Sequence, residues 1–195
     1  MAPCILIPAA GSGTRFLGAG HKLAARIGGD AVLALTLRQA SATGLRVVLV
    51  VSARLRDELG DALPACEQVV VDTEVHPAWG MGDSIAAGVA AAPDAAGWLV
   101  LPADMPFVRP DSIHRVAAGL AGHAVAYARH AGQRGHPVGF RASLKDELLA
   151  LRGDTGARAV VARSDSVAVD VDDAGTLVDI DTLDDLEAAR RRAAA

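Results

Sequence analysis

The sequence predicts an α/β fold of three layers, with a mainly parallel sheet between two layers of helices. Near-continuous apolar runs recur along the chain, and segments with helical spacing fill most of the gaps between them. Strands that are apolar on both faces are typical of parallel sheets that helices cover on both sides. The length of 195 residues and the hydrophobic fraction of 51% are enough for a sizeable core, so we expect residues 1–195 to form one domain.

The strands are predicted from short apolar runs bounded by Gly, Pro or polar residues. The first lies around residues 5–7, and the last around residues 177–182, where apolar and acidic residues alternate. Between them the predicted strands are 45–51, 68–71, 97–101 and 124–128.

The helices are predicted from apolar spacing and from residues typical of helix ends. Leu33 and Leu37 recur on one side of the segment 31–43, and Pro110 followed by Asp111 is a typical helix opening. The other predicted helices begin at Asp83 or Ser84 and run over 143–151, 155–162 and 183–192. The arginines at 190–192 complement the dipole at the end of the last helix, as a solvated helix end does.

Composition excludes several classes of partner. Nucleic-acid surfaces are usually basic and often stack bases on aromatic rings, whereas this chain has a net charge of −4 and an aromatic fraction of 3%. No stretch reaches the roughly 18 apolar residues of a membrane span, and no signal-peptide pattern opens the chain. Cys4 and Cys66 have neither metal-ligand spacing nor a disulfide pattern. We therefore expect a cytoplasmic protein without nucleic-acid or membrane partners.

A glycine-rich turn follows the first predicted strand and has the character of a phosphate cradle. Gly11 and Gly13 carry no Cβ, so the backbone can approach an anion closely and direct successive N–H groups at it. Arg15 and Lys22 add positive charge behind the turn. This combination suits a triphosphate.

Two better-known phosphate loops do not fit the turn. A dinucleotide fingerprint requires a third glycine where Phe16 stands, and a P-loop requires Ser or Thr after its Lys, where Leu23 follows Lys22. The alternative interpretation is a plain glycine-rich turn after a strand.

The predicted strand 97–101 is followed by Asp104, between Pro102 and Pro106. Ligands of open α/β sheets bind at the carboxyl edge of the strands, where this carboxylate is presented. The prolines stiffen the turn, which suits a group that holds a metal ion. The alternative is an Asp that caps the following helix.

A second acidic strand end is predicted before the last helix. Alternation along an extended strand places Asp179 and Asp181 on the same side, with Ile180 on the other. A carboxylate here and one at Asp104 can hold Mg²⁺ between them while the ion also binds phosphate oxygens. The alternative is that Asp181 or Thr182 caps the helix.

Two further segments carry cations beside glycines. Arg134 and Arg158 are forked donors that suit a second phosphorylated molecule, and His136 can donate to it. The alternative for His136 is a loop residue with one backbone hydrogen bond.

The segment from Trp79 to Ser84 contributes Gly80 and Gly82 at the start of a predicted helix. Free N–H groups at the positive end of a helix suit a ribose or phosphate oxygen. The alternative is an ordinary capped helix start.

In their order along the chain, these segments resemble the nucleotidyltransferase family that includes molybdenum cofactor cytidylyltransferase, the MobA-like family. The resemblance covers nearly the whole sequence. The motifs that carry it are Ala9-Ala10-Gly11-x-x-x-Arg15 with Lys22, Gly80-Met81-x-x-Ser84, Leu101-Pro102-Ala103-Asp104-Met105-Pro106, Arg134-Gly135-His136-Pro137-Val138, Gly153-Asp154-x-Gly156-Ala157-Arg158 and Asp179-Ile180-Asp181-Thr182.

The resemblance implies a Rossmann-like nucleotidyltransferase fold and a role for each motif. Arg15 and Lys22 would act on the triphosphate, Asp104 would be the catalytic metal ligand, and Asp181 the second acidic contact with Mg²⁺. The nucleotide-binding residues that it implies are Ala9, Ala10, Gly11, Gly13, Arg15, Lys22, Gly80, Met81 and Ser84. The acceptor-binding residues that it implies are Arg134, His136 and Arg158.

The resemblance also implies a reaction. The Ala-Ala-Gly form of the turn is similar to the cytidylyl branch, whereas the guanylyl branch tends to carry Ala-Gly-Gly, so CTP is favoured. The expected activity is Mg²⁺-dependent transfer of CMP from CTP to the phosphate of a molybdopterin-type acceptor, with release of pyrophosphate. A molybdoenzyme that receives the product is an expected client.

Two alternatives remain at this stage. The enzyme could transfer the nucleotidyl group to a sugar phosphate, a polyol phosphate or phospholactate, which would leave the Arg134 to Val138 segment without a role. The protein could also be a non-catalytic carrier of the cofactor, but pure binding does not require both Asp104 and Asp181.

Overall fold

The computed structural model describes residues 1–11 and 21–194. Within these residues the strands are β1 (Cys4–Ala9), β2 (Arg26–Ile27), β3 (Asp30–Ala31), β4 (Arg46–Ser52), β5 (Glu67–Val71), β6 (Gly97–Val100), β7 (Val125–His130), β8 (Gln133–Arg141) and β9 (Ser166–Asp170). The α-helices are α1 (Val32–Ser41), α2 (Ala53–Leu59), α3 (Met81–Ala91), α4 (Pro110–Gly119), α5 (Lys145–Leu149), α6 (Arg158–Arg163) and α7 (Leu183–Ala194). Short 3₁₀ helices lie at Lys22–Ala24, Gly60–Ala62, Ala142–Leu144 and Ala174–Leu177.

The described residues form a seven-stranded sheet in the order β5-β4-β1-β6-β8-β7-β9, and β2 pairs with β3 in a separate ribbon. Strand β1 pairs in parallel with β4 and β6, β4 with β5, and β7 with β9. Only β8 runs against its neighbours among these strands, β6 and β7. The predicted α/β fold with a mainly parallel sheet is confirmed.

Helices cover both faces of the sheet, because successive side chains of a strand point to opposite faces. Ile5 and Ile7 of β1 pack with α1, α2, α4 and α7, whereas Leu6 packs with α3, α5 and α6. Leu33 and Leu37 of α1 are fully buried, as their spacing predicted. None of the helices in the described residues has the length and apolar character that a membrane span requires.

Strand β1 is central and contains a proline, which central strands rarely tolerate because proline cannot donate a backbone hydrogen bond. Pro8 lies opposite Val50 of β4, but the pairing of β1 with β6 ends at Leu6. The missing N–H therefore falls where the sheet opens, next to the glycine-rich turn.

Most predicted elements are present with shifted ends. Helix α3 begins at Met81, ahead of the predicted start at Asp83 or Ser84, and α6 begins at Arg158, three residues after the predicted start. The predicted helix 143–151 is a 3₁₀ turn followed by α5. Strands β8 and β9 and helix α2 were not predicted.

The prediction of a strand at residues 177–182 is wrong. The chain there leaves the 3₁₀ helix Ala174–Leu177 and continues without regular structure to α7. Ile180 is fully buried, and its N–H donates to the carbonyl oxygen of Asp104 over 3.1 Å, so the segment packs against the turn after β6 and joins no strand. The directions of the Asp179 and Asp181 side chains are therefore not set by alternation along a strand.

Candidate active site

A cleft of about 1210 Å³ opens where β1 and β6 end. Both strands run in parallel, so the cleft lies at the carboxyl edge of the sheet, where ligands of open α/β folds bind. Of the predicted site residues that the structure describes, all but Ala10 line this cleft. They are Ala9, Gly11, Lys22, Gly80, Met81, Ser84, Asp104, Arg134, His136, Arg158 and Asp181.

One cation and two acids converge in the cleft. The Nζ atom of Lys22 lies 2.6 Å from Oδ2 of Asp104 and 2.6 Å from Oδ1 of Asp181. The side chains of Lys22 and Asp104 are 17% and 16% exposed and that of Asp181 is 34% exposed, so solvent screens this cluster only in part. The structure thus brings together residues from three distant parts of the sequence.

Backbone and hydroxyl contacts hold the turn that carries Asp104. The buried hydroxyl of Thr36, on α1, donates to the carbonyl oxygen of Ala103 over 2.9 Å. The carbonyl of Asp104 itself accepts from Ile180. The turn after β6 is therefore held from two sides.

The residues around Asp181 form the start of α7. The carboxylate of Asp185 accepts from the N–H groups of Asp181 and Thr182, over 3.2 and 2.8 Å, and the Thr182 hydroxyl accepts from the N–H of Asp185. This reciprocal pattern is a capping box, which fixes the direction in which the chain enters a helix. Thr182 is thus the cap, and Asp181 stands just before it with its side chain directed to Lys22.

The charges in the cluster act on the pKa values of Lys22 and Asp179. Burial alone would lower the pKa of Lys22, but the Asp104 and Asp181 carboxylates outweigh it and raise that pKa above its ordinary value. Partial burial raises the pKa of the Asp179 carboxyl, and the charges of Asp104 and Asp181 raise it further. Lys22 is therefore held as an ammonium ion between acids.

The donor set suits a hard divalent cation. Carboxylate oxygens are the preferred protein ligands of Mg²⁺, which usually takes one or two carboxylates and completes its shell with water and phosphate oxygens. The described residues contain no group of three or more His, Cys, Asp or Glu that could hold a metal by themselves. Asp104 and Asp181 already converge on one cation, the Lys22 ammonium, so the pair fits a metal that is shared with a bound phosphate.

The glycine-rich turn begins beside this cluster. Ala9 and Ala10 are buried at the end of β1, and Gly11 lies in the cleft. The Nδ1 atom of His21 accepts from the N–H of Leu23 over 3.2 Å, so the ring proton is on Nε2, which donates to the carbonyl oxygen of Gly11 over 3.1 Å. His21 therefore links Gly11 to the 3₁₀ helix that begins at Lys22. Gly13 and Arg15 lie outside the described residues.

The start of α3 forms another part of the cleft wall. The N–H groups of Gly80 and Gly82, expected to be free for a ligand, donate instead to Asp83 and to the carbonyl oxygen of Gly153. The buried hydroxyl of Ser84 accepts from the indole N–H of Trp79 over 2.9 Å and donates to the carbonyl oxygen of Gly80. The protein itself thus uses these groups, and Met81 is the exposed side chain here.

The predicted acceptor residues line the same cleft. The guanidinium carbon of Arg134 lies 4.4 Å from the centre of the Tyr127 ring, a cation–π contact. Burial lowers the pKa of His136, against the opposing charge of Asp104, so this imidazole is neutral at neutral pH. Arg158 is the exposed first residue of α6.

Sequence reasoning missed several residues that shape the site. No sequence pattern marks these residues as part of a site, and only their hydrogen-bond partners in the fold show their roles. They are His21, Thr36, Trp79 and Asp185. Asp83 was considered only as a helix cap.

The arrangement has the parts that a nucleotide phosphate requires. The backbone at Gly11, an ammonium ion and two convergent carboxylates meet at the carboxyl edge of a parallel sheet, and two arginines line the same cleft. These features define an α/β enzyme class that acts on nucleotide phosphates.

Comparison with known proteins agrees with this class. Residues 5–167 match the MobA-like NTP transferase domain. The chain belongs to the MobA-like NTP transferase family, and it is a nucleotidyltransferase. Among curated proteins no sequence matches the chain significantly.

Solved structures of low identity share the fold. Rv0371c from Mycobacterium tuberculosis is 26% identical with a TM-score of 0.80, over 98% of this chain and 99% of that one. A second structure of Rv0371c, in complex with manganese, is 24% identical with a TM-score of 0.77 and the same coverage. A nucleotidyl transferase from Methanothermobacter is 22% identical with a TM-score of 0.83, over 99% and 98% of the two chains. Molybdopterin-guanine dinucleotide biosynthesis protein A from Archaeoglobus fulgidus is 19% identical with a TM-score of 0.72, over 98% of each chain.

Proposed function

We propose that the protein transfers CMP from CTP to the phosphate of molybdopterin or the molybdenum cofactor, with Mg²⁺ as the metal and pyrophosphate as the second product. The observation that carries the proposal is the convergence of Lys22, Asp104 and Asp181 beside the glycine turn. Membership of the MobA-like family supports the reaction class, and the Ala-Ala-Gly form of the turn supports CTP.

Asp104 and Asp181 would hold the metal, which when bound neutralises charge on the phosphate oxygens. A manganese complex of the similar protein Rv0371c supports a divalent ion in this fold. In the proposed reaction an oxygen of the acceptor phosphate bonds to the α-phosphorus of CTP. The bond from that phosphorus to the oxygen bridging the β-phosphate breaks, and this oxygen leaves with pyrophosphate.

The chain's own residues contribute alignment and charge. The acceptor phosphate is already ionised near neutral pH, so the reaction requires no general base. The backbone at Gly11 approaches the triphosphate, and the Lys22 ammonium moves from the carboxylates to the leaving phosphates. Arg15 adds positive charge to the same phosphates, as the family resemblance implies.

The second phosphorylated molecule would bind on the opposite side of the cleft. Arg134 and Arg158 offer forked donors for its phosphate, and the stacking of Arg134 on Tyr127 restricts where its guanidinium group lies. Neutral His136 would contribute a hydrogen bond and no charge. A molybdoenzyme that takes up the dinucleotide product is the expected client.

The experiment is a transfer assay with each nucleotide in turn. The protein is incubated with Mg²⁺, molybdopterin and CTP, GTP, ATP or UTP, and pyrophosphate is measured. We expect release with CTP, which EDTA abolishes. Faster release with GTP would contradict the choice of base, and release with a sugar phosphate but not with molybdopterin would contradict the acceptor. Stabilisation by CTP without Mg²⁺ and without turnover would identify a carrier.

A further inference from the structure

The start of α3 and the turn before α6 are joined by hydrogen bonds that centre on Asp83. One carboxyl oxygen of Asp83, Oδ2, accepts from the N–H of Gly80 over 3.0 Å and from the N–H of Gly153 over 2.8 Å. The N–H of Gly82 donates in return to the carbonyl oxygen of Gly153 over 2.7 Å. Residues 70 positions apart in the sequence are thereby held as one unit.

The two backbones are in direct contact at this place. A Cβ atom on Gly80 would lie 2.2 Å from the carbonyl carbon of Gly153, and one on Gly82 would lie 2.6 Å from the carbonyl oxygen of Thr155. Real Cβ atoms do not approach so closely, so only glycine fits at either position. Gly153 has a φ of +57°, a conformation that favours glycine, and its N–H donates to Asp83.

This contact joins the two predicted halves of the cleft. Gly80 and Met81 belong to the nucleotide side, whereas the turn at Gly153 leads within five residues to Arg158, on the acceptor side. Because Arg158 opens α6, the position of this turn determines where its guanidinium group enters the cleft.

We propose that Asp83 is a positioning residue that sets the acceptor-binding turn 152–157 against the nucleotide-binding start of α3. It touches neither substrate and acts through Gly153 and Arg158. The inference rests on the proposed function for its kinetic consequence, but its structural part can be tested without turnover.

The first test measures amide hydrogen exchange over residues 152–157. Asp83→Ala removes the acceptor of the Gly153 N–H, and we expect exchange in this segment to rise about tenfold. Asp83→Asn retains an oxygen that can accept both N–H groups, so protection should largely return. Asp94→Ala, an exposed acid beyond the end of α3, is the matched control and should leave exchange unchanged. Unchanged exchange in Asp83→Ala would overturn the proposal.

The second test separates positioning from general destabilisation. With CTP and molybdopterin, Asp83→Ala should raise the KM for molybdopterin about tenfold and the KM for CTP less than about twofold, with recovery in Asp83→Asn. An equal rise in both KM values would contradict a positioning role on the acceptor side. If the wild type releases no pyrophosphate, the proposed function fails, while the exchange experiment still decides the role of Asp83.

Discussion

Lys22 is the central side chain of the charged cluster, because its ammonium lies between two carboxylates, where the proposed divalent cation would lie. The sequence indicated that Lys22 is positively charged and that it follows the glycine-rich turn. It could not indicate that Lys22 pairs with the acids, since both partners lie far along the chain. In the proposed metal site, the ammonium and the metal would compete for Asp104 and Asp181.

Removal of this ammonium should strengthen metal binding. We expect Lys22→Met to bind Mn²⁺ about tenfold more tightly than the wild type without nucleotide, because the metal no longer displaces a cation. Free Mn²⁺ is measured by electron paramagnetic resonance. Arg158→Met removes one positive charge from the same cleft without disturbing the pair and should change the affinity much less. Equal effects of the two substitutions would argue against direct competition.

His136 should make stability depend on pH. Burial lowers its pKa in the folded protein, with Asp104 opposing this and Arg134 and Arg158 reinforcing it. The unfolded chain then binds the proton more readily, so the stabilising contribution is complete above about pH 6.5 and declines as pH falls.

The measurement is the free energy of unfolding by denaturant between pH 7 and pH 5. His136 should contribute a decline of at most about 1.4 kcal/mol per pH unit. His136→Gln should remove this part of the slope, and His114→Gln, at an exposed position on α4, should retain it. A wild-type slope that survives in His136→Gln would contradict the assignment.

Among the helices and strands, the predictions were most accurate where one sequence pattern dominates a segment. Strand β1 and helices α1 and α4 follow from apolar runs and helix openings. Strand β8 was missed because Gly135, Pro137 and Gly139 weaken its strand pattern, although a Cβ on Gly135 would lie 2.3 Å from the carbonyl oxygen of Thr176. The glycine that suggested a loop is there because another segment crosses the strand closely.

For the acidic segment before α7, the error was the opposite one, because a strand was predicted where the structure has none. Alternating apolar and acidic residues indicated a strand, whereas Ile180 is buried against the turn after β6 and the chain forms no ladder. The carboxylates of Asp104 and Asp181 nevertheless meet at Lys22, because tertiary packing and the capping box direct Asp181 to that ammonium. Alternation of apolar and acidic residues does not distinguish a strand from an irregular segment whose side chains are placed by tertiary packing.

Gly80→Ala tests the contact between α3 and the turn at Gly153. The added Cβ would overlap backbone atoms, and we expect a loss of about 1–3 kcal/mol in the free energy of unfolding, measured with denaturant. At Gly156 the nearest atom to an added Cβ is Cγ of Met81, at 3.7 Å. Gly156→Ala should therefore be neutral or slightly stabilising. Similar losses in both variants would contradict a close backbone contact between Gly80 and Gly153.

At the scale of the whole molecule, the parallel sheet creates the site. The ends of β1 and β6 meet at one edge, which brings Gly11 and Asp104 into one cleft, and α3, β8 and α6 also line this cleft. The class of site could be predicted because the order of the motifs and the fold class can both be inferred from the linear sequence. The hydrogen bonds of Asp83, Thr36 and His21 depend on which loops pack together. The sequence alone does not reveal that packing.

The metal-binding role proposed for Asp104 is tested by the rate of CMP transfer from CTP to molybdopterin with Asp104→Asn, which keeps the size of the side chain and removes its charge. If Asp104 holds the metal against the phosphates, the rate at saturating substrates should fall by about 10²–10³. Asp111→Asn, at an exposed position on α4, should match the wild type. An Asp104→Asn enzyme that retains half of the wild-type rate would contradict a metal-binding role for Asp104.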